Sequence, residues 1–307
     1  MASLVVVRPG MLTTVQDLGR WGRQGSGVPV AGPMDSYSHR LANRRAGNSE
    51  AMAALEVTLI GPELQARGDL VCAVAGADFV VEVNGSRVDT DAHFELAHAA
   101  TLRFGARRAG ARATLAVRGG FDVPATFGSR ATSVVSRMGP YCGRALAAGD
   151  ELPVGRSTPV GVRVGKPLGL PSGGARVRVI IGPHDGMFTG TAIAALSSSR
   201  FIVTPQSNRM GYRLGGVLLQ TSGPAEMLSE ATPIGSLQVA GSGQPILLMA
   251  DRQTTGGYPR IATVISADLP LAGQLAPGDW IEFVPCTRAD AIDALRQRES
   301  ALAGAWR

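Results

Sequence analysis

Lysine is almost absent from this sequence: Lys166 is the only one, although lysine and arginine together number 30. A P-loop needs a lysine inside a glycine-rich phosphate cradle, and Gly165 and Pro167, which flank Lys166, match no such loop. A Met-Lys-Met biotin attachment site is missing for the same reason. Any ATP or biotin chemistry must therefore be shared with another chain. Cysteine is scarce as well. Cys72, Cys142 and Cys286 are odd in number and far apart, with no CxxC spacing, which argues against a disulfide framework and a structural zinc site; they read as buried thiols. The four histidines, His39, His93, His98 and His184, form no HxH or HExxH pattern, and no GxSxG elbow occurs, so neither a metal site nor triad catalysis is expected. No run of 18 apolar residues suggests a membrane span, and the opening strand reaches Arg8-Pro9-Gly10 too early for a signal-peptide core. The expected compartment is the cytoplasm. Charge of +6 comes from scattered arginines without a basic helix or aromatic stacking motif, which fits an acidic small molecule or protein partner and gives no nucleic-acid signature.

What is abundant is apolar residues, 45%, together with 40 glycines and 19 prolines, the composition of a folded protein with many turns and few long helices. A length of 307 residues, at roughly one domain per 150, suggests two domains. The first strand is expected at 4–7. The periodicity of Met34, Tyr37, Leu41 and Ala42 predicts a helix over 33–46, with Pro33 in its first turn and Gly47 as its stop. Short apolar runs then follow at 71–75, 79–83, 94–96, 101–104 and 114–117. Gly76-Ala77-Asp78, Asn84-Gly85 and Gly119-Gly120 read as turns between them, and Asn84-Gly85 is the clearest hairpin signal. This spacing suits an antiparallel barrel or sandwich, giving a mostly β fold with a few helices. The glycine- and proline-rich stretch 160–175 is the expected connection between a domain at 1–165 and another at 166–307. Strands are expected near 176–181, 201–204, 246–249 and 280–284, with a short helical stretch after Asp185. A closing helix is expected over 288–302, capped by Thr287, with Ile292, Leu295 and Leu302 on its apolar face.

Several segments carry chemistry. Gln16, Asp17 and Arg20 place an amide, a carboxylate and a guanidinium within five residues; Arg20 can grip a planar anion, or Asp17 can serve an internal ion pair that shapes the loop. Asp35 either caps the helix or meets substrate, and Asn43 and Asn48 either orient a substrate amide or satisfy turns. Arg130 lies beside Gly128, where a ligand or another backbone can approach or where a barrel turn closes. The second half is richer still. Arg209, Arg213, Glu230 and Gln238 precede the run Asp251 to Tyr258, which with Thr254 and Thr255 follows an apolar strand and so gathers carboxylate, guanidinium, amide, hydroxyl and phenol at a strand end. A core does not need that combination, and the loop either meets a substrate or partner or is a structural polar turn. With no histidine or serine machinery, a general base falls to Asp17, Glu230 or Asp251.

Seven segments, Thr14 to Arg20, Gly27 to Asp35, Ala42 to Asn48, Leu55-Glu56, Gly128-Ser129-Arg130, Gly143-Arg144 and Asp251 to Tyr258, occur in an order that resembles one family. It includes the C-type component of bacterial 5-oxoprolinase, the KipI antagonists (KipA) and the carboxyltransferase domain of urea carboxylase. The resemblance implies two tandem cyclophilin-like β-barrel domains, of which the second carries the terminal helix. It implies a hetero-oligomer with a KipI-like B-type component and a LamB/YcsF-like A-type component. The implied hydrolase reaction consumes ATP to open the lactam of 5-oxoproline to L-glutamate, one route being phosphorylation of the amide oxygen before attack by water. Under the same resemblance, a carboxyltransferase using carboxybiotin on urea or another small amide, or a non-enzymatic KipI antagonist, is the alternative. Fold alone does not select among them.

Overall fold

A computed structural model describes residues 2–156, 165–224 and 226–304. The chain divides into two compact units, one of Met1–Arg20, Ala31–Leu170 and Ser300–Arg307, the other of Trp21–Val30 and Pro171–Glu299. Part of the connection expected at 160–175 lies outside the described residues. The division is not purely sequential, because a short early segment is counted with the second unit and the chain end with the first.

The first unit is built on a nine-stranded antiparallel sheet. Its strands are β1 (Ser3–Arg8), β2 (Leu12–Gln16), β3 (Ala54–Thr58), β4 (Glu63–Arg67), β5 (Leu70–Val83), β6 (Ser86–Arg87), β7 (His93–Leu96), β8 (Thr101–Val117) and β9 (Glu151–Pro153). The main path runs β2-β3-β8-β4-β1-β9, and β5 pairs with β6, β7 and β8. Two strands are longer than the sequence suggests. The runs expected as separate strands on either side of Gly76-Ala77-Asp78 belong to one strand, β5, and those at 101–104 and 114–117 both belong to β8. Gly76-Ala77-Asp78 is not a turn. Opposite it, β8 takes nine steps, Ala113 to Phe104, where β5 takes five, Gly76 to Val81, and the extra residues bulge and bend the ribbon. Asn84 (φ 50°) and Gly85 (φ 82°) do form the expected hairpin, with Val83 opposite Ser86, since both central residues must adopt left-handed backbone.

Inside this sheet Leu4, Leu55, Val57, Leu64, Cys72, Leu102, Leu115 and Val117 are excluded from solvent and form the core. Burial pushes the Cys72 thiol up to about 12. The other two thiols differ from expectation: Cys142 is exposed and Cys286 only partly buried.

The first helix, α1 (Ser36–Ala46), starts later than its periodicity suggests. Pro33 precedes it, and Asp35 is the N-cap, accepting from Ser38 N–H at 2.8 Å and Ser38 Oγ–H at 2.6 Å. A carboxylate satisfies an otherwise orphaned helix amide better than a proline in the first turn, which explains the shift. Gly47 ends the helix at φ 81°. Tyr37, Leu41, Ala42 and Ala46 pack against Ala54, Ala73, Ala75 and Ala116, small residues that let the helix lie close to the sheet. The four-residue turn α2 (Pro140–Gly143) follows later in the same unit.

The second unit is a closed seven-stranded barrel. Its strands are β10 (Gly174–Ile181), β11 (Arg200–Val203), β12 (Gly211–Gly215), β14 (Ser236–Val239), β15 (Pro245–Leu248), β17 (Arg260–Val264) and β18 (Trp280–Pro285), in the order β10-β17-β14-β15-β12-β11-β18. The parallel pairing of β18 with β10 closes it. Val177, Val179, Phe201, Val203, Tyr212, Leu214, Leu237, Val239, Leu247, Ile281 and Phe283 are all at most 1% exposed and fill the interior. A two-stranded ribbon, β13 (Glu230–Ala231) with β16 (Thr255–Gly256), stands apart from the barrel. The helices are α3 (Gly190–Ser198), α4 (Leu269–Gly273) and α5 (Arg288–Ala303). At the start of α5, Thr287 Oγ1 accepts from Asp290 N–H and the Asp290 carboxylate accepts from Thr287 N–H, a reciprocal cap. The apolar face expected on α5 is different in the structure. Ile292 and Leu295 are exposed, whereas Ala294 is buried against Ile265 and Ala267, where a small side chain fits, and Leu302 is buried separately in the first unit's cluster with Tyr37 and Leu41. Among the described residues no helix is long and apolar enough to cross a membrane.

Asp35→Ala should lower stability by about 1–2 kcal/mol through loss of the cap, and Asp35→Asn by less, because an amide oxygen still accepts from Ser38. Urea unfolding midpoints check this.

Candidate active site

In the second unit, the barrel's alternation sorts the predicted residues. Tyr212, Leu214, Leu237, Val239 and Leu247 point inward and are at most 1% exposed, so Arg213, Gln238 and Ile246 lie on the outer face. Register sets them in a row: Ile246 on β15 is opposite Arg213 on β12 and Gln238 on β14. Around this row is a groove of about 220 Å³, lined also by Asn208, Gly211, Leu248, Gln253 and Tyr258. Gln253 Nε2–H donates to Gln238 Oε1 at 3.3 Å, and Gln238 Nε2–H donates to Tyr258 O at 3.3 Å. Among the described residues, the Arg213 guanidinium makes no hydrogen bond or ion pair. Gly256 leaves room for this: a Cβ there would come within 2.9 Å of Gln238 Nε2 and 3.2 Å of Gln253 Nε2. The groove thus offers a free guanidinium, two carboxamides and a phenol over an apolar floor, a set able to hold an anion at one end and an amide at the other.

Arg209 and Asp251 do not line that groove. They form a buried two-pronged pair, Arg209 Nε to Asp251 Oδ2 and Nη2 to Oδ1, both at 3.1 Å, with side chains 6% and 1% exposed. The main chain reinforces it, since Asp251 N–H donates to Arg209 O at 2.8 Å and Met249 N–H to Met210 O at 2.9 Å. The pair welds the loop before β12 to the segment after β15. Glu230 accepts from Arg260 Nε–H at 3.0 Å and pairs with Arg260 Nη2 at 2.5 Å, and His184 Nε2 lies 3.4 Å away. His184 Nδ1 accepts from Arg260 N–H at 3.0 Å, which leaves the ring proton on Nε2, facing Glu230. Thr255 sits in the small ribbon opposite Ala231. Thr254 O accepts from Thr232 N–H at 3.0 Å, and Thr254 lines a separate cavity with Gln253.

In the first unit Asp17 organises a loop. Its carboxylate accepts from Gly19 N–H at 2.9 Å, Ser129 Oγ–H at 2.6 Å and Arg130 N–H at 2.5 Å. Arg20, 1% exposed, donates to Ala131 O and, at 3.4 Å, to Thr126 O. It clamps peptide carbonyls. Gln16 Nε2–H donates to Thr14 Oγ1 at 2.9 Å and Thr132 O at 3.0 Å, while its buried Oε1 has no partner among the described residues. Arg130 donates to Val123 O at 2.7 Å and pairs with Asp122 at 2.9 Å. Asp17, Arg130 and Asp122, with Ser49 and Arg156, line a cleft of about 890 Å³.

Behind α1 lies a buried polar network around Asn43 and Asn48, two residues singled out by sequence, and it includes His39, to which the sequence assigned no role. The Asn43 amide donates to Met52 O at 2.9 Å and lies 3.2 Å from His39 Nε2; its Oδ1 accepts from Asn48 at 3.0 Å. Asn48 reaches Val117 O at 2.8 Å and accepts from Gly119 N–H at 2.8 Å. Glu56 accepts from Met34 N–H at 2.7 Å. Burial draws His39 down to about 4 despite the nearby carboxylates Asp17 and Glu56. The four-residue spacing of His39 and Asn43 on one helix face was the available signal. Among the described residues no group of three or more His, Cys, Asp or Glu side chains is placed to hold a metal ion.

Comparison with known proteins gives consistent results. The family model of the carboxyltransferase domain, subdomain A and B, matches residues 26–285. The chain is 37% identical to the 5-oxoprolinase C-type component of Escherichia coli over 96% of its own length and 95% of that protein. It is 34% identical to the corresponding 5-oxoprolinase component of Haemophilus influenzae over 93% and 92%. The crystal structure of Kluyveromyces lactis urea carboxylase matches with a TM-score of 0.93 at 32% identity, covering 98% of this chain but only 29% of that one.

Two outcomes follow from this geometry. His39 is neutral in the folded protein until about pH 4 but protonates near 6.5 when unfolded. Its contribution is therefore intact above 6.5 and lost as pH falls from 6.5 to 4, on the order of 3 kcal/mol. His39→Gln should flatten that limb of the stability–pH curve. Asp251→Ala leaves Arg209 buried without its counter-ion and should cost about 3–5 kcal/mol, whereas Arg209→Met with Asp251→Leu should cost distinctly less. Denaturant unfolding of the single and double variants measures both.

Proposed function

The chain belongs to the carboxyltransferase domain, subdomain A and B, family, and from that premise we propose that it is the C-type component of an ATP-dependent 5-oxoprolinase complex. The observation that carries this reading is its kinship with two 5-oxoprolinase components of that type over more than nine-tenths of each chain. In the proposal the complex opens 5-oxo-L-proline to L-glutamate, with a KipI-like B-type component and a LamB/YcsF-like A-type component completing it in the cytoplasm.

The outer-face groove is the proposed substrate site. A cyclic amide offers one N–H and one carbonyl, which the Gln238 and Gln253 carboxamides and the Tyr258 hydroxyl can match, while Arg213 supplies positive charge for a carboxylate or for charge that develops on the amide oxygen. Arg209 and Asp251 act here as positioning residues that hold the groove's two walls. None of the three candidate carboxylates lines the groove; Glu230, with its side chain 34% exposed beside His184, is the one assigned here as base, whereas the Asp17 carboxylate is taken up in organising its own loop. ATP would supply the driving force for lactam opening. The sole lysine and the lack of a P-loop give this chain no familiar phosphate cradle, so ATP binding is assigned to the assembled complex and no step is drawn through it.

A second reading, carboxyl transfer to urea or another small amide, is favoured by the match to the urea carboxylase structure. It requires carboxybiotin on a partner.

Mixing the purified chain with its partner proteins should produce 5-oxoproline-dependent ATP hydrolysis that neither set shows alone. Arg213→Ala and Gln238→Ala should each reduce kcat/KM about tenfold to a hundredfold without preventing assembly, the cost of a lost charged or paired hydrogen bond. Full activity in both variants would remove the groove from the reaction. A complex that ignores 5-oxoproline but carboxylates urea with a biotinylated partner would select the second reading.

A further inference from the structure

Beyond that groove, the second unit holds a cavity whose features do not depend on the lactam reading. It measures about 360 Å³, within the range of roughly 300–1,000 Å³ usual for small-molecule sites, and Trp21, Val30, Pro233, Ile234, Arg252 and Thr254 contribute to its lining. Arg252 is 7% exposed. Among the described residues its only side-chain hydrogen bond is from Nε–H to Thr232 O at 2.8 Å, and no carboxylate lies within ion-pair distance. Every other buried arginine of this unit differs in that respect: Arg209, the one comparable case, faces Asp251. A buried cation without a counter-ion is costly, and folded proteins seldom keep one unless something else supplies the negative charge. Burial draws its pKa down to about 10, still far above neutrality, so the charge persists. The walls, in contrast, are an indole, a proline and two branched aliphatic side chains.

We infer that this cavity binds a small organic carboxylate, with the carboxylate on the free Nη donors of Arg252 and an apolar or planar body against Trp21, Pro233 and Ile234. A guanidinium matches a carboxylate with two parallel hydrogen bonds, and the apolar walls strengthen that contact by excluding water. Gln253 borders both this cavity and the outer-face groove, so an occupant here would be sensed at the groove's carboxamide pair.

The test uses the full chain and two isosteric probes, sodium benzoate and benzamide, followed by isothermal titration calorimetry. Benzoate should bind at least tenfold more tightly than benzamide. Arg252→Gln should weaken benzoate at least tenfold and leave benzamide unchanged. Ile234→Trp, at a partly exposed wall position that leaves the cation in place, should block both probes, and it serves if Arg252→Gln does not fold. Equal affinity for benzoate and benzamide, or unchanged benzoate affinity in a folded Arg252→Gln or Ile234→Trp variant, overturns the inference. Failure of 5-oxoproline turnover with benzoate binding intact would count against the function proposed above and not against this site.

Discussion

One buried ion pair sets the geometry of the second unit's proposed substrate face. Arg209 and Asp251 exchange two charge-assisted hydrogen bonds out of solvent, and their backbones are joined by a third. Neither residue lines the groove, but Arg209 lies within the stretch 208–213 that forms one wall and Asp251 lies two residues before the stretch 253–258 that forms the other. The same segment also carries Arg252 into the neighbouring cavity. Such a pair contributes little net stability over an apolar substitute, so its value lies in fixing where the flanking side chains emerge. Polar groups placed on rigid strand ends need that kind of anchoring if they are to act together.

The first unit uses carboxylates and carbonyls in the same way. Asp17 gathers the amides of its own loop and of Arg130, and Arg20 binds peptide carbonyls of the loop at 126–131. These residues looked like ligand-binding groups because their chemistry suits anions, but much of that capacity is taken up internally. Asn43 is similar: it links His39, Met52 and Asn48 in a network closed to water. Burial of this network penalises a charged imidazole, which is why His39 is held neutral there.

Much of the fold was legible in residues alone. Asn84-Gly85 specified its hairpin because few residue pairs accept two left-handed conformations, and the apolar runs at 176–181, 201–204, 246–249 and 280–284 marked barrel strands, whereas the strands 211–215 and 236–239 went unmarked. Legibility failed where context overrules pattern. Gly76-Ala77-Asp78 has the composition of a turn, but pairing with a long partner strand carries the chain through as a bulge. Ile292 and Leu295 are more hydrophobic than Ala291 and Ala294, but the space available favours the smaller side chains. Among site residues, Gln238 and Arg213 are 25 positions apart and became neighbours only through register across β15. Arg252 stood in a stretch already rich in candidates, and nothing in its sequence neighbourhood showed that it lacks a counter-ion. That is a property of burial, visible only in three dimensions.

In the proposed function, the outer face of the barrel, not its interior or the first unit's cleft, receives the small amide substrate. A crystal structure of this chain soaked with 5-oxo-L-proline tests that placement most directly. Ligand density is expected across the row formed by Gln238, Ile246 and Arg213, with the ring amide facing the carboxamides. Density confined to the cleft beside Asp17 and Arg130, with the row left bare, would contradict it.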